Sequence, residues 1–210
     1  MTSPYEGLAP QDWEAKTREL IAKHPLDSTE LYEVVLQQWD GIFESLITSK
    51  GYRIGIDFFP GPQIMGFLLH ELIALELTNR HPGIWRREEK AKDKDLVYIP
   101  DDQFSIEIKT SSQQGKIFGN RSFTQKSKTG KTKKSKSGYY LGVNFEKFKS
   151  SSPTETETKR EKPQITSVRF GWIDAEDWQG QKAATGQQAR LSNDVARYKL
   201  LPLPLTPPKI

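Results

Sequence analysis

The chain of 210 residues is long enough for one domain with a sizeable core and an appended lobe. It has no cysteine and three scattered histidines, His24, His70 and His81, which excludes disulfides, thiolate-metal sites and the close histidine pair of a zinc hydrolase. Formal charge is only +4 at a pI of about 9.1, and no apolar run approaches bilayer length, so a membrane protein is excluded and a soluble cytoplasmic one expected.

In chain order, a helix begins near Asp12 and runs to about Lys23, where Pro25 ends it. A second starts at Ser28 or Thr29, with Leu31, Val34, Val35, Gln38 and Ile42 at helical spacing, and extends to about Ser49 before Gly51. Residues 54–59 read as a short strand or an ordered loop, and Pro60-Gly61-Pro62 is a break. The strongest helix, Gln63 to Asn79, follows; it is apolar on most sides, as a helix packed across a sheet should be. Glu71 interrupts its apolar run, where a carboxylate needs a reason. It is a candidate accessory carboxylate for a site nearby, with Glu76 competing and a solvent-facing pair with Arg80 or Arg87 as the plain alternative.

Residues 84–87 read as a short strand leading into a hairpin, Asp95 to Lys109. Its first strand is Leu96-Val97-Tyr98-Ile99, its turn lies at Pro100 to Gln103, and its second strand alternates from Phe104 to Lys109. Alternation places Phe104, Ile106 and Ile108 on one face and Ser105, Glu107 and Lys109 on the other. A carboxylate and an ammonium thus stand side by side, with Asp95 at the mouth of the partner strand. A hard divalent cation such as Mg²⁺ wants a few carboxylate oxygens and several waters. Asp95, Glu107 and the carbonyl of Ile108 supply such a set, with Asp93 competing for the place of Asp95. Lys109 is placed to orient or deprotonate an attacking water, so the chemistry indicated is metal-assisted phosphodiester hydrolysis. The plain alternative is a solvated Glu-x-Lys strand face.

From Thr110 to Phe145 there are eight Lys or Arg and no Asp or Glu, a one-sign stretch suited to a phosphate backbone. Its first part offers Ser112, Gln113, Lys116, Asn120, Arg121 and Ser122 as donors, and residues 126–136 read as a flexible basic loop. Strands follow at Tyr139 to Phe145 and Ile165 to Ile173, pairing antiparallel. A turn around Trp178, a polar segment Thr185 to Arg190 and a last strand, Arg197 to Leu201, complete the chain.

A helix carrying Glu71, a hairpin carrying Asp95 and Glu107-x-Lys109, then mixed strands: this constellation resembles the PD-(D/E)xK nuclease superfamily, over roughly Gly66 to Ile173. Asp95 follows Lys94 rather than proline; the literal Pro100-Asp101 lies in the hairpin turn. Within the superfamily, the strings EIKTSSQ, IFGNRS, RFGWID and TGQQARL resemble type II restriction endonucleases of the ScaI type. The resemblance implies an α/β (α+β) fold, a restriction-endonuclease-like mixed β-sheet flanked by helices. It is expected as one domain with an N-terminal helical part over 1–60, a catalytic core over 61–175 and an extension over 176–210. It further implies Mg²⁺-dependent, sequence-specific cleavage of double-stranded DNA leaving 5′-phosphates, a homodimer on a palindromic site, and a companion DNA methyltransferase. On that reading Asp95 and Glu107 bind metal, Lys109 handles the water and Glu71 tunes the site or binds a second ion. Gln187, Gln188 and Arg190 suit major-groove readout, Gln toward adenine and Arg toward guanine, or form a polar surface turn. Two other readings remain open: a structure-directed repair or recombination nuclease of the same fold, and a non-catalytic DNA-binding module.

Overall fold

The computed structural model describes residues 2–120, 134–149, 161–180 and 188–205. The first three helices are α1 (Trp13–Ala22), α2 (Ser28–Glu44) and α3 (Pro62–Arg80). Asp27 caps α2, its carboxylate accepting from the N–H groups of Thr29 and Glu30, and so takes up two of the orphan donors of a helix start. The second helix therefore begins where the sequence places it but stops five residues early, at Glu44. Residues 54–59 are a loop carrying an isolated bridge between Ile54 and Phe58. Pro62 opens α3 at its first turn, where a missing N–H costs nothing.

The main sheet comprises β1 (Trp85–Arg87), β2 (Leu96–Tyr98), β3 (Ile106–Ser111), β5 (Gly138–Phe145), β6 (Ile165–Ile173) and β9 (Leu201–Pro202), in the order β1-β2-β3-β5-β6-β9. All neighbours are antiparallel except β3 and β5, which run parallel from Ile106↔Tyr139 to Ser111↔Asn144. The segment between β2 and β3 is longer than the predicted turn. It includes a 3₁₀ turn at Asp102–Phe104, so Phe104 precedes the strand rather than opening it. A smaller sheet in the order β4-β8-β7 is built from β4 (Phe118–Asn120), β7 (Trp178–Gly180) and β8 (Gln188–Leu191). The predicted strand Arg197 to Leu201 instead starts in the last residues of a helix, α4 (Asn193–Tyr198), passes through a turn at Lys199 and Leu200, and pairs only at Leu201–Pro202. The Ser192 side chain accepts from the Val195 N–H and starts that helix, a cap that outweighs the short β-like run.

Each sheet face is covered. Leu31, Val35, Trp39, Leu69, Ile73 and Leu77 from α2 and α3 pack against Ile106, Ile108, Leu141, Val143 and Phe170. On the other face Tyr140 and Ile173 meet Ile117, Trp178, Ala189, Val195 and Leu200. Covering on both sides explains why all eight residues of β5 are buried, as in a strand with both sheet faces packed. Among the described residues no helix is long and apolar enough to cross a membrane.

His24 is a buried residue of the core. Its Nδ1 accepts the Leu26 N–H (3.2 Å) and its Nε2 faces the Phe104 carbonyl (3.0 Å), the pattern of a neutral ring donating from Nε2. Burial pushes its pKa down to about 4, outweighing the two backbone carbonyls that favour the cation. A ring held neutral when folded but protonated when unfolded gives full stability above pH 6.5. That stability is lost as pH falls toward 4, because the unfolded chain then binds the extra proton. Chemical denaturation at pH 6.5 and pH 5 should show the natural protein losing about 1.5 kcal/mol more than a His24→Leu variant, since each full unit of differential protonation is about 1.4 kcal/mol; equal losses would refute this.

Candidate active site

Strand β2 meets β3 at the single pair Leu96↔Ile106, and continuing that antiparallel register puts Asp95 opposite Glu107 on the same side. Beyond the last β2 pair the N–H of Ile108 lacks a strand partner. Asp95 Oδ2 takes it at 2.7 Å, which fixes the carboxylate against β3. A residue's N–H and C=O leave a strand by the same edge, so the Ile108 carbonyl is directed to that edge as well. Lys109, two residues on from Glu107 along the same face, places Nζ 2.5 Å from Glu107 Oε1. Asp95, Glu107 and Lys109 are thus brought together, with Asp95 6 % and Glu107 3 % exposed, a degree of burial that rules out a merely solvated strand face.

Two further residues complete the cluster. Lys134, just ahead of β5, bridges the carboxylates, its Nζ 2.6 Å from Asp95 Oδ1 and 2.7 Å from Glu107 Oε2. His70, on α3, has Nε2 3.2 Å from Asp95 Oδ2 and Nδ1 3.3 Å from Glu71 Oε1. Helix α3 can lie this close to β3 because Gly66 has no side chain: a Cβ there would come within 2.7 Å of Thr110 Oγ1, the hydroxyl that donates to the Gly66 carbonyl at 3.1 Å.

The electrostatics follow from burial plus cations. Burial raises the pKa of Asp95, but His70, Lys109 and Lys134 outweigh it and hold the carboxyl well below the usual range. Burial likewise lowers that of Lys134, and Asp95 and Glu107 reverse the sign, holding it above the ordinary lysine value. Behind the site, burial pushes the Lys94 ammonium down to about 8; its Nζ donates to the Ser135 carbonyl at 3.1 Å and stands over the Tyr140 ring.

The remaining candidates are dispersed. Glu71 is held by Arg87 and contacts His70, so α3 sends His70 rather than Glu71 to Asp95. Glu76 pairs with Arg80 at 2.8 Å on the helix surface. Asp93 turns away, accepting from Arg86 (2.8 Å) and from the N–H groups of Glu89 (3.2 Å) and Lys90 (3.1 Å). Ser112, Gln113 and Lys116 form the turn after β3, where Asn144 Nδ2 gathers the carbonyls of Ser111, Gln113 and Lys116. Asn120, Gln188 and Arg190 lie on the small sheet. Arg121, Ser122, Gln187 and residues 126–133 of the basic loop fall outside the described residues.

The family model of the ScaI restriction endonuclease matches residues 3–204. The chain belongs to the ScaI restriction endonuclease family. It is 48 % identical over 199 residues, 95 % of this chain and 83 % of the relative, to the type II restriction enzyme ScaI of Streptomyces caespitosus. No solved structure matches. Membership decides among the sequence readings: the protein is a type II site-specific endonuclease whose substrate is DNA.

A restriction endonuclease family also implies a divalent metal requirement. The described residues contain no cluster of three or more Asp, Glu, His or Cys side chains arranged to hold an ion. They do offer a leaner set: two facing carboxylates and a strand carbonyl. Within it, Glu107 Oε2 is fully buried and makes no well-directed hydrogen bond, although the Lys134 ammonium is close. An underused buried carboxylate oxygen beside a second carboxylate suits a hydrated hard cation, which is commonly held through one or two carboxylates and keeps several waters.

Proposed function

We propose that this endonuclease hydrolyses phosphodiester bonds of double-stranded DNA with Mg²⁺ held by Asp95, Glu107 and the Ile108 carbonyl, leaving 5′-phosphates. The observation that carries the reading is the single ammonium shared by Asp95 and Glu107, with the Lys109 amine alongside. Two carboxylates that converge on one cation have the spacing and charge to take another cation in its place. When bound, Mg²⁺ polarises the scissile phosphate and lowers the pKa of a coordinated water. Asp95 stays ionised and is held by the Ile108 N–H, so it presents one oxygen outward in a fixed direction. Lys109 offers an amine on the face beyond Glu107, where it orients the attacking water and offsets charge growing on the phosphate. His70 holds the second oxygen of Asp95 and passes the influence of Glu71 to it, which makes Glu71 a positioning residue. Ser112, Gln113, Lys116, Asn120, Arg121, Ser122, Gln187, Gln188 and Arg190 contact the DNA, the first three from the turn that leaves the active strand.

The same reading takes residues 1–210 as one restriction-endonuclease-like domain acting in the cytoplasm as a homodimer, since a two-fold enzyme matches a two-fold site. A companion methyltransferase protects host DNA without forming a stable complex. The test is incubation with unmethylated phage or plasmid DNA, in Mg²⁺ and in EDTA, followed by sizing and end sequencing. Discrete bands with 5′-phosphate ends in Mg²⁺ and none in EDTA are expected. Discrete bands in EDTA would remove the metal from the mechanism.

A further inference from the structure

Among the described residues, the small sheet has one buried face and one exposed face. Antiparallel partners point the same way, so the pairs Phe118↔Arg190, Asn120↔Gln188 and Gln179↔Arg190 place five side chains on one surface. The opposite surface, with Ala189 and Trp178, is buried against Tyr140. On the outward surface Asn120, Gln179, Gln188 and Arg190 are exposed and Phe118 is half-buried. Four of the five are side chains that pair with base edges, Gln or Asn with adenine and Arg with guanine, and Phe suits contact with a thymine methyl. No carboxylate lies in any of the three strands.

We propose that this outward face, Gln179, Arg190, Phe118, Gln188 and Asn120, reads base edges in the major groove of the DNA that the catalytic site cuts. The proposal rests on the nuclease reading of that site and adds Gln179, a residue whose sequence context of a tryptophan-centred turn gave no hint of it. Strands stand about 4.8 Å apart, so three span roughly 10 Å, which fits a groove about 12 Å wide. Along a strand, alternate residues are about 7 Å apart, close to two base-pair steps of about 3.4 Å. The row Phe118–Arg190–Gln179 and the row Asn120–Gln188 therefore address different base pairs. The sheet is also tied to the chemistry. Ile117, immediately before β4, lies over Gly142, where a Cβ would meet it at 3.2 Å, and Gly142 is the β5 partner of Lys109. A shift of the reading face is thereby felt beside the catalytic lysine.

The test uses the full-length protein and the duplex defined by sequencing the ends it cuts, with single-base variants of that duplex. Affinities are measured in EDTA, so that binding is separated from cutting, across a range of salt. Gln179→Ala and Arg190→Ala should each lose roughly ten- to a hundredfold of discrimination at one base-pair position. Affinity for unrelated DNA should stay within about twofold, and the salt dependence should keep its slope. Uniform weakening across all sequences with a shallower salt slope would mean that the face contacts phosphates, and unchanged discrimination in both variants would mean that specificity is read elsewhere; either overturns the proposal. Failure of the nuclease reading shows separately, as absence of discrete, metal-dependent cleavage by the unaltered protein.

Discussion

Glu107→Gln is expected to lower the single-turnover cleavage rate by about a thousandfold or more, the rate equivalent of the several kcal/mol that a metal Lewis acid supplies. The substitution keeps shape and removes the charge that, with Asp95, makes the carboxylate pair attractive to a divalent cation. Calorimetric titration with Mg²⁺ should lose its binding heat in parallel. Lys134→Ala should move the same titration the other way, because its ammonium sits within 2.7 Å of both carboxylates and has to be displaced before another cation can settle there. The fold should persist in Glu107→Gln, since Lys134 and Lys109 are only partly buried and can turn to solvent when their partner is neutralised. A rate within tenfold of the natural enzyme, with metal binding intact, would remove Glu107 from the site.

The geometry of the site was legible because it is local. Glu107 and Lys109 share a face through the two-residue period of a strand, and Asp95 faces Glu107 through hairpin register; both rules act over fewer than twenty residues. The long helix α3 was legible for the same reason, its apolar run and opening proline being contained in one segment. Burial of Glu107 was not legible. It depends on what stands beside that face of β3, and the neighbours include Lys134 and the β5 partner Tyr140, each about thirty residues on.

The contributions of His70 and Lys134 needed tertiary structure. Glu71 drew attention as the charged residue in an apolar helix, yet Arg87, 16 residues away, satisfies it. Helix α3 presents its neighbour His70 instead, at an angle fixed by the close approach of Gly66 to Thr110. Lys134 belongs to a run of similar lysines, and nothing in composition separates the one that reaches Asp95 from those around it. The small sheet is not legible in the sequence for a different reason. Its strands are three or four residues long and distant in sequence, too short for periodicity to register, and only their pairing reveals that Asn120, Gln179, Gln188 and Arg190 share a surface.

Lys109→Ala should reduce cleavage by roughly a hundred- to ten-thousandfold, the range for loss of a positioned proton-transfer or charge-stabilising group. The affinity for cognate DNA measured in EDTA should stay within a few-fold. Two roles for this lysine make different predictions in a second measurement. If Lys109 acts on the water and the phosphate, Mg²⁺ affinity without DNA should change little or tighten slightly, since Glu107 Oε1 is released from an ammonium 2.5 Å away. If Lys109 chiefly holds Glu107 in place, Mg²⁺ affinity should fall together with the rate, and Lys109→Arg should restore both by keeping the charge. The first outcome is expected, because Glu107 sits on a central strand, is buried and is contacted independently by Lys134, so its position does not depend on one neighbour. A rate that survives Lys109→Ala unchanged would take this lysine out of the mechanism and leave water activation to the bound metal alone.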